Sequence, residues 1–595
     1  MMKNFAKTLI ILLGVGCLAS CGDDDPVTET GTITGTGTDT GTESAEMKTV
    51  SAPDFNSFSI AQSTAATGET ATSPTSRSQS VTITFSSDGT ATSTDETLAS
   101  VSGQSVTAST ANVNYILKGT TAEGSSAAFN YKGTGDCTIT LSGVTLITTS
   151  KAIGATKGGN VELVIEGNNT ITTTAKKSIE VGDDTENADG TLATYQKLDI
   201  YGSGVLNVTS AAKGAISSTD AMTINPGVVL NITVGSDATG KKGLKSDTSI
   251  DFRGGRTTVI NNAPAEWDDT EGEYSASSCV KAPTITVSGG TVQCKATGNG
   301  GKGIRADNVM TVSDGTVEVI TTGQNLVRES NADKVVTMSQ LDSYSNYEDA
   351  NPKGIHVGDK DATPATGTLA ISGGTVKVKV ANSEGIESKM YINISGGTVA
   401  VQSGDDGMNA GISSENNKGN AYAGKGQVNI SGGTVYVYST DNDAIDANGT
   451  ISISGGVVVA SGNTAPECGI DCDQNTFAIK GGYVIGLGGD TSTPTESACT
   501  QSSLITSASV SAGSVLTLQI GGSTVLKAEM PRSYSSAKML LSAPAMQKGS
   551  SYAILINGNA NGNGNSGTLS SSSYVNGSSG SSMPGGGFGP GGKPF

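Results

Sequence analysis

A phrase of one charged, one small and one apolar residue recurs along the chain, and it contains the residues best suited to chemistry. The residue that opens the phrase is basic in the earlier copies and acidic in the later ones: Lys213, Lys242, Lys302, Lys353, Glu384, Asp406 and Asp443. The residue after the apolar position changes in step: Ser217, Lys245, Arg305, His356, Glu387, Asn409, Asp446 and Asp471. If successive copies stack, these side chains form two rows of charge on one face.

The acidic half of these rows predicts a site for a hard cation. Equivalent residues of stacked strands lie about 5 Å apart, and like charges that close repel one another. Calcium takes six to eight oxygen ligands, including Asp and Glu carboxylates, and would remove this repulsion. The predicted ligands are Glu384, Glu387, Asp405, Asp406, Asp441, Asp443, Asp446 and Asp471. The alternative is a charged face that is simply solvated.

The basic half predicts an anionic partner. Lysines beside calcium suit a polymer that carries a carboxylate on each sugar, with calcium bridging to that carboxylate. The predicted ligand-binding residues are Lys213, Lys242, Lys302, Arg305, Lys353 and His356. The alternative is that these cations balance nearby acids such as Asp247 and Asp307.

The elements that must position both rows are strands joined by glycine turns. An Ile-Ser-Gly-Gly phrase begins at Ile371, Ile394, Ile430 and Ile453, at intervals of 23 or 36 residues. Apolar and polar residues alternate on both sides of each Gly-Gly pair, which indicates strand, turn and strand. A period in the twenties is typical of a solenoid, whose repeats cannot bury a core alone. The sequence therefore predicts an all-β fold, a right-handed parallel β-helix with short capping strands.

The repeat pattern also predicts the boundaries along the chain. Twelve copies place the β-helix at 136–500, between capping strands at 51–135 and 501–556. The Gly/Asn/Ser-rich tail, 557–595, is expected to be disordered. Two interruptions, the first insertion (Asn262–Val280) and the second insertion (Gly323–Asn351), are expected to form loops on one face.

The N-terminus predicts export and a lipid anchor. Residues 1–20 have a basic end, a short apolar run and small residues before Cys21, as in a secretory signal peptide. The cysteine at the cut resembles the lipobox of bacterial lipoproteins, so Cys21 is predicted to carry the lipid that holds the protein at a membrane. Residues 21–50 are expected to form a flexible tether. An ordinary signal peptide with a chance cysteine is the alternative.

Composition excludes several function classes. The net charge of −19 argues against a general basic surface for nucleic acid. His356 is the only histidine, and no HExxH motif, CxxC pair or P-loop occurs, which argues against zinc sites and most histidine-dependent catalysis. The chain is expected to be a monomer. Cys279 and Cys294 are interpreted either as a disulfide or as small buried residues.

The phrases INISGGTV…DDGMNA (from Tyr391-Ile392 onward) and KGIRADNVMTVSDGTVEV (from Lys302) resemble a bacterial carbohydrate-binding β-helix family that binds cellulose and acidic sugars. That family is similar in architecture to calcium-dependent pectate lyases and carries calcium between its coils. The residues Gly22-Asp23-Asp24-Asp25 resemble the acidic export motif of Bacteroidetes-type surface lipoproteins. These resemblances imply a non-catalytic, calcium-dependent protein that binds acidic polysaccharide. They also imply lipid anchorage in the outer membrane, facing outside the cell.

Two other functions are also compatible with the sequence. In a calcium-dependent polysaccharide lyase, a neutral lysine would take the C5 proton of a uronate, and Lys353, Lys389 and Lys302 are the candidates. In a structural adhesin, the charged face would contact a glycoprotein or another chain. No catalytic residue is predicted for the preferred function, because no single lysine is marked as desolvated.

Overall fold

Strands account for nearly all of the regular structure, as the alternation of apolar and polar residues predicts. The computed structural model describes residues 47–578, apart from 184, 186, 188–190, 342, 343, 345–347, 414–418, 474 and 561–564. The helices in this described part are an α-helix, Met338–Leu341, and a 3₁₀-helix, Glu496–Ala498. The predicted signal peptide, Cys21 and most of the predicted tether lie outside the described residues.

Strands from successive repeats pair in parallel and form three ladders. The first ladder contains the strands that precede the glycine turns, some of which continue into a neighbouring ladder. Its strands are Gln79–Phe85, Val113–Thr120, Cys137–Thr148, Val161–Glu166, Leu198–Gly202, Met222–Ile224, Ser249–Phe252, Ser278–Val287, Lys302–Val312, Thr368–Ile371, Tyr391–Ile394, Gln427–Ser439, Thr450–Ser461 and Phe477–Gly488.

The second ladder contains the strands that follow the glycine turns. Besides the later parts of four strands of the first ladder, its strands are Asn168–Thr173, Val205–Ser210, Val229–Val234, Arg256–Asn261, Thr291–Ala296, Thr316–Thr321, Thr375–Val380 and Thr398–Ser403. Every pairing within it is parallel, so each repeat crosses this face in the same direction.

The third ladder carries the charged phrases. Its strands are Ser105–Ala108, Ala128–Tyr131, Ile153–Ala155, Ile179–Val181, Ile216–Ser218, Lys242–Ser246, Ile355–Val357, Ile386–Ser388, Met408–Ala410, Ile445–Ala447 and Ile470–Asp471. The first halves of Ser278–Val287 and Lys302–Val312 complete it. The parallel pairing continues without a break from one repeat to the next.

Buried apolar residues from all three ladders form one continuous core. Ile394 of the first ladder, Val399 of the second and Ile386 of the third belong to it. Because side chains alternate across a strand, every second residue points into this core and its neighbours point outward. The six described cysteines are unpaired and buried, including Cys279 and Cys294, which agrees with their interpretation as small core residues.

The Gly-Gly pair is required where one repeat lies on the next. The second glycine of three copies, at Gly374, Gly397 and Gly433, has φ between 68° and 78°. A Cβ added at Gly397 would lie 2.6 Å from the carbonyl oxygen of Gly373. Both the left-handed backbone and the close approach of the neighbouring repeat therefore exclude a side chain at this turn.

The two insertions form small sheets of their own. In the first insertion, Glu266–Asp268 pairs antiparallel with Glu273–Ser275 to make a hairpin. In the second insertion, Asn325–Glu329 pairs antiparallel with both Ala332–Val336 and Glu348–Ala350. Both segments interrupt the repeats, but the predicted bounds of the first insertion are too wide, because Ser278–Val280 belongs to the third ladder.

Antiparallel strands end the parallel ladders on both sides. Ala91–Ser93 and Ala99–Ser102 pair antiparallel with the first repeats. At the other end, Tyr534–Ser542 pairs antiparallel with the last long strand. The strands within 501–556, the segment predicted to cap the repeats, are Ser503–Val510, Val515–Ile520, Ser523–Glu529, Tyr534–Ser542 and Ser551–Ile556. These strands cover edges that would otherwise present unpaired backbone groups.

The expected disorder from residue 557 onward is wrong for part of the tail. Asn559–Ala560 and Ser566–Thr568 pair with Ser551–Ile556, and Val575–Asn576 pairs with Ser503–Val510. Composition alone suggested disorder because the tail has little to bury. The cap, however, offers free sheet edges, and backbone hydrogen bonds to those edges order the chain without a large core.

The N-terminal strap, residues 51–77, runs along the outside of the repeats without forming strands. It follows Lys48–Val50, which pairs in parallel with Ser523–Glu529 of the C-terminal cap. Its hydrogen-bond partners, in strap order, are Glu529, Lys379, Asn231, Gly227 and Glu162. The strap therefore runs from the C-terminal cap back to the first repeats. Phe55 and Ile60 of the strap are buried.

Substitution of Gly397 tests the turn geometry. Gly397→Ala should destabilise the protein by about 3 kcal/mol, because strain at positive φ adds to a clash with the repeat below. Gly522→Ala is the matched control: its φ is 84° but nothing lies within 4 Å of the added Cβ, so it should cost only about 1–2 kcal/mol. Chemical denaturation of both variants measures the difference, and equal costs would contradict the close stacking.

Candidate functional site

The third ladder aligns the charged phrases as the sequence predicts. Its backbone register runs through one apolar residue of each copy: Val106, Phe129, Ile153, Ile179, Ile216, Leu244, Val280, Ile304, Ile355, Ile386, Met408, Ile445 and Ile470. From Ile179 onward, the next residue of each copy forms an outward row: Glu180, Ser217, Lys245, Lys281, Arg305, His356, Glu387, Asn409, Asp446 and Asp471. The predicted superposition of the phrases is confirmed.

Two details of the predicted rows differ from the structure. Because Ile216 pairs with Leu244, the residue level with Lys242 is Gly214, and Lys213 lies one position outside the row. A further copy, Ser278–Lys281, stands between Lys242 and Lys302. The sequence analysis missed this copy because a serine replaces the charged residue that opens the phrase. Lys281, which continues the row of cations, is the residue that could have revealed this copy.

At the junction of the basic and acidic halves, opposite charges neutralise one another. The Nζ atom of Lys353 lies 2.7 Å from a carboxylate oxygen of Glu384 and 2.7 Å from one of Glu387. Lys389 forms a third ion pair, with the other oxygen of Glu387. Burial acts to lower the pKa of Lys353, but the two carboxylates outweigh it and raise that pKa. Lys353 therefore keeps its proton and is unsuited to act as a base.

His356 belongs to the same buried junction. Its Nδ1 atom lies 2.6 Å from an Oε2 atom of Glu387. Burial lowers the pKa of His356 to about 3, even though Glu387 acts in the opposite direction. The ring is therefore neutral at physiological pH. Burial would raise the pKa of Glu387, but Lys353, Lys389 and His356 hold it well below its ordinary value.

These contacts change the roles expected of several predicted residues. Glu384 and Glu387 are engaged by lysines, so the structure does not bring them into a metal-binding group. Lys302 is buried, and its Nζ atom donates to the backbone oxygen of Asn351 at 3.2 Å. Arg305 pairs with Asp307 at 2.9 Å, as the alternative interpretation of the basic row proposed.

Beyond the junction, three aspartates form a compact acidic cluster. Carboxylate oxygens of Asp443, Asp446 and Asp471 all lie within 4.8 Å of one another. Burial and then the charge of Asp471 raise the pKa of Asp443 and of Asp446 well above the ordinary value. The cluster is therefore a place where negative charge is costly unless a cation or protons balance it. The chemistry of its donor set, carboxylate oxygens alone, fits a hard divalent cation.

The residues next to the acidic cluster extend it toward the junction. Burial and the neighbouring carboxylates raise the pKa of Asp405 to about 7 and raise that of Asp406 well above its ordinary value. Asn409, level with Asp446 in the ladder, donates to Asp406 at 2.9 Å, while its own Oδ1 atom is buried and makes no hydrogen bond within the described residues. Asp441, also a predicted ligand, is exposed and accepts from Thr440 instead.

At the other end of the third ladder, lysines line an open groove of about 770 Å³. We name it the lysine groove, and its lysines are Lys151, Lys176, Lys177, Lys213, Lys241, Lys242 and Lys245. Glu180 is the carboxylate among its lining residues, and it pairs with Lys151 and Lys177. No carboxylate in the described part of the chain lies within ion-pair distance of Lys176, Lys213 or Lys242. The groove therefore carries a positive excess that a bound anion would reduce.

Lys242 is the most desolvated cation of the lysine groove. Its Nζ atom donates to the backbone oxygen of Gly240 at 2.6 Å and to Ser275 at 3.2 Å, both of them uncharged partners. Burial, followed by the positive charges of Lys281 and Arg305, lowers the pKa of Lys242 to about 7. An anion bound near it would restore its proton, so this lysine gains the most from a negatively charged ligand.

Sequence reasoning named three of the seven lysines of the lysine groove, Lys213, Lys242 and Lys245. The others were missed because the row of phrases was begun at Lys213, although Ile153 and Ile179 carry the same register two copies earlier. Paired lysines at Lys176-Lys177 and Lys241-Lys242 were the available signal.

The lysine groove and the acidic cluster are well separated along the ladder. Six strand steps lie between Leu244, at the groove, and Ile445, at the acidic cluster. At about 4.8 Å a step, the distance is about 29 Å. A cation in the acidic cluster therefore cannot touch a sugar that is held by Lys242.

The described residues contain no helix that is long and apolar enough to cross a membrane.

Comparisons with known proteins give a family and one structural likeness. The model of a family described as carbohydrate-binding domain-containing protein matches residues 102–407 and 354–529. No curated protein matches the chain. A solved structure of a polysaccharide lyase-like protein from C. thermocellum, a gadolinium derivative, is similar at 15% identity and a TM-score of 0.20. The match covers 55% of this chain and 93% of that one.

The raised pKa values of the acidic cluster predict how stability depends on pH without divalent cations. Each such aspartate holds a proton in the folded state that it loses in the unfolded state, so the stability that protonation supplies is lost as pH rises through the folded pKa. Asp446→Asn removes one of these protons. In chelator, its free energy of unfolding should fall less steeply between pH 5 and 7 than that of the wild type, by up to about 1.4 kcal/mol per pH unit.

The wild type must be compared with the variant because His356 makes stability change with pH in the opposite direction. Its pKa of about 3 in the fold makes stability rise with pH up to its unfolded value near 6.5. This contribution is the same in both proteins and cancels in the difference. Identical slopes for wild type and Asp446→Asn would contradict a protonated acidic cluster.

Proposed function

This chain belongs to the family of carbohydrate-binding domain-containing proteins, and from that premise we propose that it binds an acidic, uronate-containing polysaccharide at the cell surface. The lysine groove is the binding surface, and the protein acts without catalysis. The acidic cluster holds calcium, which stabilises the repeats.

The observation that carries this proposal is a concentration of lysines on an otherwise acidic protein. The chain has a net charge of −19, yet seven lysines line one groove. Glu180 pairs with Lys151 and Lys177, Glu266 pairs with Lys241, and Asp247 pairs with Lys245. Lys176, Lys213 and Lys242, which have no carboxylate at ion-pair distance among the described residues, leave a positive excess that costs free energy unless something offsets it. A neutral sugar offers no counter-charge, whereas a carboxylate on each sugar places anions along the whole groove.

The proposed architecture is a right-handed parallel β-helix, with each repeat contributing one strand to each of three ladders. The unbroken parallel pairing and the single core that all three ladders share support it. This arrangement gives a binding surface that is built from one short segment of each repeat, as in other solenoids.

Calcium in the acidic cluster is supported by donor chemistry. Asp443, Asp446 and Asp471 would supply carboxylate oxygens, and Asp406 and the unsatisfied Oδ1 atom of Asn409 lie at the neighbouring repeats. All of these are the oxygen ligands that calcium prefers. Because Asp406, Asp443 and Asp446 are mostly buried, the cation would join repeats rather than present itself to a ligand.

The proposal therefore divides the two charged regions by role. Glycan affinity depends on the lysines, and calcium contributes through the stability of the fold. The sequence analysis expected calcium to bridge directly to a sugar carboxylate. The proposal does not include such a bridge, because about 29 Å separate the acidic cluster from the lysine groove.

We place the protein at the outer membrane, anchored through lipidated Cys21 and facing outside the cell. The first described strand, Lys48–Val50, pairs with Ser523–Glu529 of the C-terminal cap. A tether that ends there would join the folded part at the cap, and the lysine groove lies near the opposite end of the third ladder.

Substitution of groove lysines tests the binding surface. Lys213→Ala and Lys242→Ala together should weaken binding to polygalacturonate by on the order of tenfold per lysine, because each charge-assisted contact contributes about 1.5–3 kcal/mol. Lys480→Ala is the control, since Lys480 is exposed and lies outside the groove. Isothermal titration calorimetry at pH 6.5 measures the change. Equal weakening by the control would reduce the effect to net charge, and ultraviolet absorbance that grows with time would instead indicate a lyase.

Removal of calcium tests the acidic cluster. A chelator should lower the melting temperature, since a ligand at 100 times its Kd stabilises the native state by about 2.7 kcal/mol. Asp446→Asn should abolish this calcium effect, whereas Asp441→Asn, which changes an exposed carboxylate outside the cluster, should retain it. Polygalacturonate binding, measured well below the melting temperature of the calcium-free protein, should not change. A melting temperature that ignores both calcium and chelator would refute the cation site.

A further inference from the structure

The two insertions join into one projecting module beside the third ladder. Trp267 and Tyr274 of the first insertion pack edge to face, with ring centroids 5.2 Å apart. Arg328 of the second insertion lies over the Trp267 ring at 4.5 Å, and Tyr274 donates to Asp333 at 2.7 Å. Cation–π and hydrogen-bond contacts of this kind fix the hairpin of the first insertion against the second insertion.

The hairpin stands directly on the last repeat of the lysine groove. Glu266 forms an ion pair with Lys241 at 3.0 Å, and Ser275 accepts from Lys242 at 3.2 Å. A Cβ added at Gly240 would lie 2.8 Å from the Cβ of Glu266, so no gap remains between hairpin and ladder. Ser275 itself lines the groove.

The hairpin closes the lysine groove at the end formed by residues 240–245. The lining residues of the third ladder come from four successive copies, 149–151, 176–180, 213–217 and 240–245. The hairpin precedes the next copy, and Lys281 of that copy is not a lining residue; it lies 3.5 Å from Asp307 instead. The row of cations therefore continues in register, but the groove does not. Four copies span about 14 Å.

We infer that the lysine groove takes the end of an anionic glycan chain rather than a stretch from its interior. The terminal sugar lies against the hairpin at Ser275, and the remainder of the chain leaves past Thr149–Lys151. This inference rests on the proposed function and narrows it: the wall stops the polymer at one end, so a chain cannot continue along the ladder.

The charges of the groove specify the anion only by class. Its cations are all lysines, which act as point charges and lack the planar fork with which arginine recognises one carboxylate in two contacts. Carboxylate and sulfate groups are therefore both acceptable to the groove. The experiment uses one polymer of each kind to separate them.

The test counts protein molecules bound per glycan chain. Polygalacturonate fractions of defined length, and separately dextran sulfate fractions, are mixed with excess wild-type protein, and light scattering after size-exclusion chromatography gives the mass of each complex. End recognition predicts one protein per chain, whatever the length of the chain. A count that rises in proportion to chain length would overturn the inference while leaving the proposed function intact.

Deletion of residues 266–275 removes the hairpin together with its groove contacts, Glu266 and Ser275, and provides the matched variant. With this variant, the number of protein molecules bound per glycan chain should increase with chain length. If it stays at one, the hairpin does not limit binding to the chain end. The wild-type count decides by itself if this variant fails to fold. Absence of binding to both polymers would refute the proposed function, and binding to dextran sulfate alone would refute only its uronate component.

Discussion

The constraint on which this protein depends is the fixed register between stacked parallel strands. Each repeat places one residue directly over its counterpart, about 4.8 Å away. The second glycine of the Gly-Gly turns keeps this register by allowing the backbones to approach: a Cβ added at Gly397 would lie only 2.6 Å from the carbonyl oxygen of Gly373. A change of side chain in one repeat is therefore felt chiefly by the repeats immediately above and below it.

This register turns the order of charges in the sequence into an order in space. Along the third ladder, lysines collect at one end and aspartates at the other, and the buried pairs of Lys353 with Glu384 and Glu387 separate them. The junction is neutral because opposite charges alternate there, whereas each end contains like charges that need an outside partner. The same backbone arrangement thus produces a surface for anions and a site for cations, without any change of fold between them.

The repeat pattern allowed much of this arrangement to be predicted from the sequence. Alternation and Gly-Gly spacing located the strands, and the vertical alignment of Asp406 with Asp443 followed from counting residues from each apolar position. Side-chain contacts between adjacent repeats, and contacts with the insertions, could not be predicted from the sequence. The pairing of Glu384 and Glu387 with Lys353 depends on side-chain reach between adjacent repeats, and the burial of Lys302 depends on the second insertion, whose fold has no repeat to predict it. The groove lysines were missed for a different reason, because Lys176 and Lys241 lie outside the phrase that defined the row.

The N-terminal strap has a consequence for how the repeats come apart. A stack of repeats with contacts only between neighbours can lose its terminal units one at a time, since each loses only one interface. Here a single stretch of backbone is bonded to residues as distant as Glu529 and Glu162. A terminal repeat that unfolds must therefore also break its hydrogen bonds to the N-terminal strap, which adds to the cost of losing that repeat alone. We therefore expect the repeats to unfold in one cooperative transition, although the architecture is modular.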